Sequence, residues 1–181
     1  MHNPLRASSY AYQTYSKLWG ILDWLYPPHC GGCGKVGSRW CQSCQSQVIQ
    51  VKSPICPRCG RLGHHSGLCS RCQTHPPSFK AMRSWAIFDG PVRQALHRLK
   101  YGRDMALGEI LSRPLAQLLS QLDWEIDCIL PVPLDPTRQK QRGYNQAALL
   151  AFPLALATGT AYEGKCLHKI KETQSQVGLS L

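Results

Sequence analysis

At 181 residues the chain is long enough for one true core and short for two, and its formal net charge of +11 marks it as basic. Eight of its ten cysteines, as thiolates on two zinc dications, would lower that charge by four to about +7, which still suits nucleic acid or a polyphosphate. Met1–Gly20 lacks the apolar core of a secretory signal and no apolar run approaches a bilayer span, so the reading is neither exported nor membrane-spanning but cytoplasmic.

Charge is distributed unevenly. Through residue 88, Asp23 is the one acidic residue against ten Lys and Arg; from Asp89 onward nine acidic residues face eleven basic ones. The front therefore reads as a basic module and the back as ordinary globular protein. Residues 1–13 read as a mobile leader. From Thr14 to Tyr26 the apolar residues Tyr15, Leu18, Trp19, Leu22, Leu25 and Tyr26 recur at helical spacing, and Pro27-Pro28 end the helix. Residues 1–26 are thus a leader and an amphipathic helix that packs on its own domain.

Residues 27–78 hold four Cys-x-x-Cys pairs: Cys30/Cys33, Cys41/Cys44, Cys56/Cys59 and Cys69/Cys72. Such a turn sets two thiolates on one edge of a tetrahedron, and a second pair completes a closed site. Paired cysteines without an export signal point to zinc rather than disulfides. Intervals of seven, eleven and nine residues between successive pairs favour sequential grouping, with an interleaved grouping left open. Gly34 and Gly60, just after their pairs, suit the positive φ of a zinc knuckle. His64, His65 and His75 read as exposed loop residues rather than ligands. So few apolar residues lie between the pairs that two structural zinc ions must hold the segment together, each supplying on the order of 10–16 kcal/mol.

Thr74–Ser78 reads as a linker, opening a third region over residues 79–181. A strand is expected over Ala81–Phe88, a helix over Val92–Tyr101 broken at Gly102-Arg103-Asp104, and a second helix from Met105 or Ala106 to Leu122 despite Pro114. A buried strand over 127–132 leads into a Pro-bounded loop carrying Arg138, Lys140 and Arg142. Gly143 closes the turn, and a helix follows over 144–157 with Gly159 as its C-cap. Strand, basic loop and helix start present cations and backbone N–H groups to an anion at the end of a sheet. Cys128 and Cys166 read as buried thiols.

Pro131-Val-Pro-Leu134, Arg138 and Arg142-Gly-Tyr-Asn-Gln146, behind the cysteine-rich front, resemble the signature of the ComF family of phosphoribosyltransferase-like proteins. Lys100, Tyr101, Arg103 and Asp104 extend the resemblance, as does the tail from His168 through Thr173 and Gln176. The resemblance implies an α/β fold: an N-terminal zinc-binding double ribbon, then an incomplete type I phosphoribosyltransferase-like, Rossmann-like parallel α/β domain. It implies a pyrophosphate-binding set of Arg138, Lys140, Arg142, Gly143, Asn145 and Gln146. It also implies phosphoribosyl pyrophosphate with Mg²⁺ as the ligand of a complete family member, and a link to DNA uptake in competent bacteria.

Enzymes of that type also use two adjacent acidic residues followed by Thr-Thr-Gly to take the ribose and its 5′-phosphate. This sequence has no adjacent acidic pair, and Thr158-Gly159-Thr160 fits a helix end instead. A truncated family member is therefore expected, with no identifiable catalytic residue and no transfer activity by itself. The alternative is a zinc-ribbon module that binds nucleic acid, such as single-stranded DNA, or a protein of the competence machinery, with Trp40 as an aromatic contact.

Overall fold

The computed structural model describes residues 10–63 and 67–170. The leader up to Ser9, His64, His65 and the family-like tail from Lys171 lie outside the described residues. The chain forms two compact units, one of residues 29–96 and one that joins the N-terminal stretch through Pro28 to the chain from His97 onward. Residues 79–96 thus fold with the cysteines, and the N-terminal helix folds with the C-terminal half.

In the cysteine unit, helices α2 (Gln42–Ser46) and α3 (Ser70–Thr74) each start directly after a cysteine. The expected linker and strand take a different form. Arg58 donates to the Pro77 carbonyl at 2.7 Å, and Met82 N–H donates to the Arg58 carbonyl at 2.8 Å. Arg83 donates to the Pro57 carbonyl at 2.8 Å. Residues 77–83 are therefore strapped to the third cysteine pair instead of linking domains. The expected strand at 81–88 is reduced to one antiparallel bridge, Gln50 to Ala86, flanked by Val51 N–H to Trp85 O and Ile87 N–H to Ile49 O. Helix α4 (Gly90–Tyr101) begins in this unit, where Val92 and Ala95 are buried.

The other unit is mainly helical. It contains α1 (Tyr10–Leu25), α5 (Leu107–Ser120), α6 (Pro136–Arg142) and α7 (Gln146–Thr158), with β1 (Cys128–Ile129) and β2 (Ala161–Tyr162). The strands pair in parallel, Cys128 with Ala161 and Ile129 with Tyr162, so α6 and α7 form the crossover of a βαβ unit. The buried strand expected over 127–132 shortens to two residues, because prolines at 131 and 133 remove backbone donors.

Helix α1 starts at Tyr10, four residues before the expected start, because its first turn is anchored. The Tyr12 hydroxyl donates to Glu109 Oε1 at 2.9 Å, and Arg113 of α5 grips both oxygens of that carboxylate at 2.9 and 3.1 Å. Glu109 is buried, and a buried carboxylate needs such partners. Burial and then the Glu109 carboxylate push the Tyr12 hydroxyl's pKa up, which keeps it a neutral donor. Edge-to-face ring contacts run from Tyr15 to Phe152 and from Phe152 to Tyr162, tying α1 through α7 to β2.

Helices α5 and α7 make the closest packing in this unit. Gly108 in the first turn of α5 meets α7 beside Pro153, a residue unusual in a helix interior. Pro153 has no N–H for the Leu149 carbonyl four residues back, and Gly108 lies against that same carbonyl, where a Cβ would approach its oxygen to 2.5 Å. The missing side chain lets the two backbones close on a carbonyl without its helical donor.

Metal centres and a cationic cleft

The structure brings the eight paired cysteines together as two sets, Cys30, Cys33, Cys41 and Cys44, and Cys56, Cys59, Cys69 and Cys72. In each set all sulfurs lie within 4.8 Å of one another, and the pairs Cys30–Cys44, Cys33–Cys41 and Cys59–Cys69 stand at 3.6 Å. A tetrahedral zinc with bonds of about 2.3 Å needs sulfur–sulfur edges of about 3.8 Å, so both sets fit the ion. Among the described residues no histidine joins either set, and His75 is exposed.

The two sites are built alike. Cys30 N–H donates to Lys35 O and Cys56 N–H to Arg61 O, each at 2.8 Å, and Gly34 and Gly60 turn each knuckle with φ of 81° and 71°. The third cysteine of each set donates its backbone N–H to the first sulfur at 3.4 Å, from Cys41 to Cys30 and from Cys69 to Cys56. Each then begins a five-residue helix whose buried cysteine is the fourth ligand. Trp40, expected as an aromatic contact, is half-buried and donates its indole N–H to Gln45 at 2.8 Å.

These donors make the sulfurs unequal. Burial pushes the Cys30 thiol up, but the backbone N–H groups of Cys33, Cys41 and Gly32 outweigh it and hold it at about 6. N–H groups from Cys69 and Cys59 hold Cys56 at about 6 against burial. Burial and the neighbouring thiols push Cys44 well above its ordinary value and Cys72 up to about 12. The folded arrangement thus favours Cys30 and Cys56 as thiolates, while Cys44 and Cys72 give up their protons only on metal binding. Folding lowers the pKa of Cys30 and Cys56, so their contribution is present above the ordinary thiol value and is lost as pH falls through about 6. Because binding displaces thiol protons, zinc affinity, measured by competition with a colorimetric chelator, is expected to fall continuously as pH is lowered from 8 and most steeply below pH 6. An affinity that is flat from pH 8 to pH 5 would contradict this account.

The predicted anion-binding stretch is a helix rather than a loop. Asp135 caps α6 by accepting from Thr137 N–H at 3.0 Å and Arg138 N–H at 3.3 Å, Pro136 occupies its first turn, and Gly143 ends it at φ 85°. Asn145 then caps α7. Its Oδ1 accepts from Ala147 N–H and its Nδ2 donates to the Val132 carbonyl, both at 2.9 Å, which locks the strand end to the helix start.

Beside this junction is a cleft of about 770 Å³. Lys140, Gly143 and Asn145 line it from the α6–α7 junction, and Lys165, His168 and Lys169 line it from the chain that follows β2. No Asp or Glu lines it among the described residues. The remaining predicted residues point elsewhere. Arg138 is half-exposed on α6, outside the lining. Arg142 lies over the Tyr101 ring at 5.1 Å and donates to Gln146 Oε1 at 3.1 Å, and Gln146 is buried. Tyr144 donates to the Leu99 carbonyl at 2.7 Å, with its pKa raised by burial and then by Asp104. Arg142 and Tyr144 thus hold α6 and α7 to α4, while Lys140 faces the cleft. Cys166, expected to be buried, is exposed beside the cleft, where partial loss of hydration and then the nearby Glu163 carboxylate raise its pKa; Cys128 is half-buried.

Comparison with known proteins agrees with the description of the metal centres. Residues 21–73 match the double zinc ribbon domain. The chain is 32% identical over 123 residues to DNA utilization protein YhgH of Salmonella typhi, and 31% identical over 123 residues to that of Escherichia coli K12. It is 30% identical over 125 residues to competence protein F of Haemophilus influenzae. These alignments cover 64–66% of this chain and 54% of each relative, so the chain spans about half the length of the curated relatives it matches. No solved structure matches it. With its two Cys₄ centres and its ComF-like signature, the chain is a double-zinc-ribbon homologue of DNA utilization protein YhgH and competence protein F.

Proposed function

We propose that the chain serves the utilisation of DNA in the cytoplasm, as the names of its relatives suggest, and that its helical unit binds a pyrophosphate-like anion. The cleft carries this reading, with lysines from two separate stretches of chain and no carboxylate among its described lining residues. Phosphoribosyl pyrophosphate, bound with Mg²⁺, is the ligand the family resemblance implies. The lining offers no acidic side chain to hold Mg²⁺, so the ion would arrive on the ligand's own phosphates. Lys140 would neutralise one end of the diphosphate and Lys165 and Lys169 the other, with Gly143 leaving backbone room between them. The sequence contains no adjacent acidic pair to take ribose hydroxyls. Pyrophosphate capture is the activity assigned to these residues.

Titration calorimetry with inorganic pyrophosphate and with phosphoribosyl pyrophosphate, each with and without Mg²⁺, tests the proposal. Saturable binding is expected, and Lys140→Ala should weaken it about tenfold, the loss of one charge-assisted contact worth about 1.4 kcal/mol. Absence of saturable binding, or an unchanged affinity in K140A and in K165A, would remove the proposal.

A further inference from the structure

We infer that the tips of the two zinc knuckles, Lys35-Val36 and Arg61-Leu62, form a paired contact for single-stranded nucleic acid. The zinc unit is an internal duplication in which Cys30, Cys33, Cys41 and Cys44 recur as Cys56, Cys59, Cys69 and Cys72. Most of what the copies share has a folding reason. The cysteines hold metal, and Gly34 and Gly60, like Gly37 and Gly63, take positive φ.

Val36 and Leu62 also close their knuckles through antiparallel backbone bridges to His29 and Ile55, but that pairing does not call for the side chains the tips share. Residues 35 and 61 supply a backbone carbonyl to the first cysteine, a service any residue performs. Yet both positions carry an exposed cation, and neither side chain is hydrogen-bonded or ion-paired among the described residues. The next residue in each copy is aliphatic and outward-facing, with Val36 66% and Leu62 46% exposed. A Cβ on Gly37 or Gly63 would meet nothing within 4 Å, so space beside each tip is open to a ligand.

Each tip therefore repeats a cation beside an apolar surface. Across His29–Leu96 nine Lys and Arg face one acidic residue, Asp89, so the unit stays positive even after two Cys₄–zinc centres contribute about −2 each. A repeated cation suits a repeated phosphate, and the aliphatic neighbour suits the face of an unpaired base, which a duplex would hide. These residues lie in the unit of residues 29–96 and none of them lines the cleft, so the inference stands or falls apart from anion binding there.

The test uses the full zinc-loaded chain and a fluorescent oligodeoxythymidine of about fifteen nucleotides, followed by anisotropy at several salt concentrations. The double variant K35A/R61A is expected to lose at least about tenfold in affinity, with the slope of log K against log salt falling by about 1.4. K52A/K80A removes the same charge from other exposed positions of the unit and should lose less than half as much. Zinc content is measured alongside. Amide NMR of the unaltered protein should show oligonucleotide-induced shifts at both 35–37 and 61–63, a readout that survives if a variant sheds its metal. Failure of the unaltered chain to bind, equal losses in the two double variants, or shifts away from both tips would each overturn the inference.

Discussion

Removal of zinc is expected to unfold residues 29–96 while the helical signal of α5 and α7 persists. The reason is the composition of that unit's interior. Cys30, Cys44, Cys56, Cys69 and Cys72 are buried, and around the second site the buried cluster consists of cysteines alone. Without metal these sulfurs bury little apolar surface and several carry or share charge. The buried hydrophobic side chains left among the unit's described residues, Val92 and Ala95, are too few to oppose chain entropy. A structural zinc supplies on the order of 10–16 kcal/mol, as much as the whole stability of a typical domain. Limited proteolysis after treatment with a strong chelator should therefore open cleavage sites between 29 and 96. Cys56→Ser or Cys72→Ser should do the same for the second ribbon, whereas Cys166→Ser, at an exposed thiol outside both sets, should not. Retention of the native protease resistance with no zinc bound would show that something other than metal holds this unit.

Gly108→Ala should destabilise the helical unit by about 2 kcal/mol. In an ordinary helix the substitution gains about 1 kcal/mol from propensity. Here the new methyl would stand 2.5 Å from the Leu149 oxygen and 2.8 Å from its Cβ. The nearest atom is backbone, which cannot swing aside as a side-chain end does, so α5 and α7 must separate. Overpacking of that kind costs up to about 3 kcal/mol or more, and the cost outweighs the propensity gain. Urea unfolding monitored through the far-ultraviolet helix signal measures the difference, and a variant as stable as the parent would refute the close approach.

Local signals were the legible ones. The cysteine pairs, the knuckle glycines, Gly159 as a C-cap and the helices at 90–101 and 107–120 could be read because each is specified by residues close in sequence. The helical nature of 136–142 is also local, specified by Asp135-Pro136 and Gly143 rather than by its three cations. Other features depend on residues far apart. Tyr12 anchors α1 only because Glu109 lies opposite, and residues 77–83 attach to Arg58 and Pro57 instead of spanning a gap. At the cleft, Lys140, Gly143 and Asn145 were legible. Lys165 was not, because nothing local says that β2 returns the chain beside β1. The charge of Arg142 is local, but the Tyr101 ring and Gln146 decide where it points.

The order in which the ribosome delivers the two units follows from the way one interrupts the other. Helix α1 is complete at Leu25, but its packing partner α7 begins only at Gln146, with the whole zinc unit made between them. At ordinary elongation rates that delay is on the order of ten seconds. Throughout it Leu18, Ile21, Trp24 and Leu25 remain on a nascent helix without its partner, and each of them stays largely exposed even in the finished fold. The cysteine unit, whose ligands are all translated by Cys72, can take up metal and close during that time. A newly made chain would thus emerge zinc-loaded first and helical later, and shortage of zinc would be felt before the second half of the protein exists.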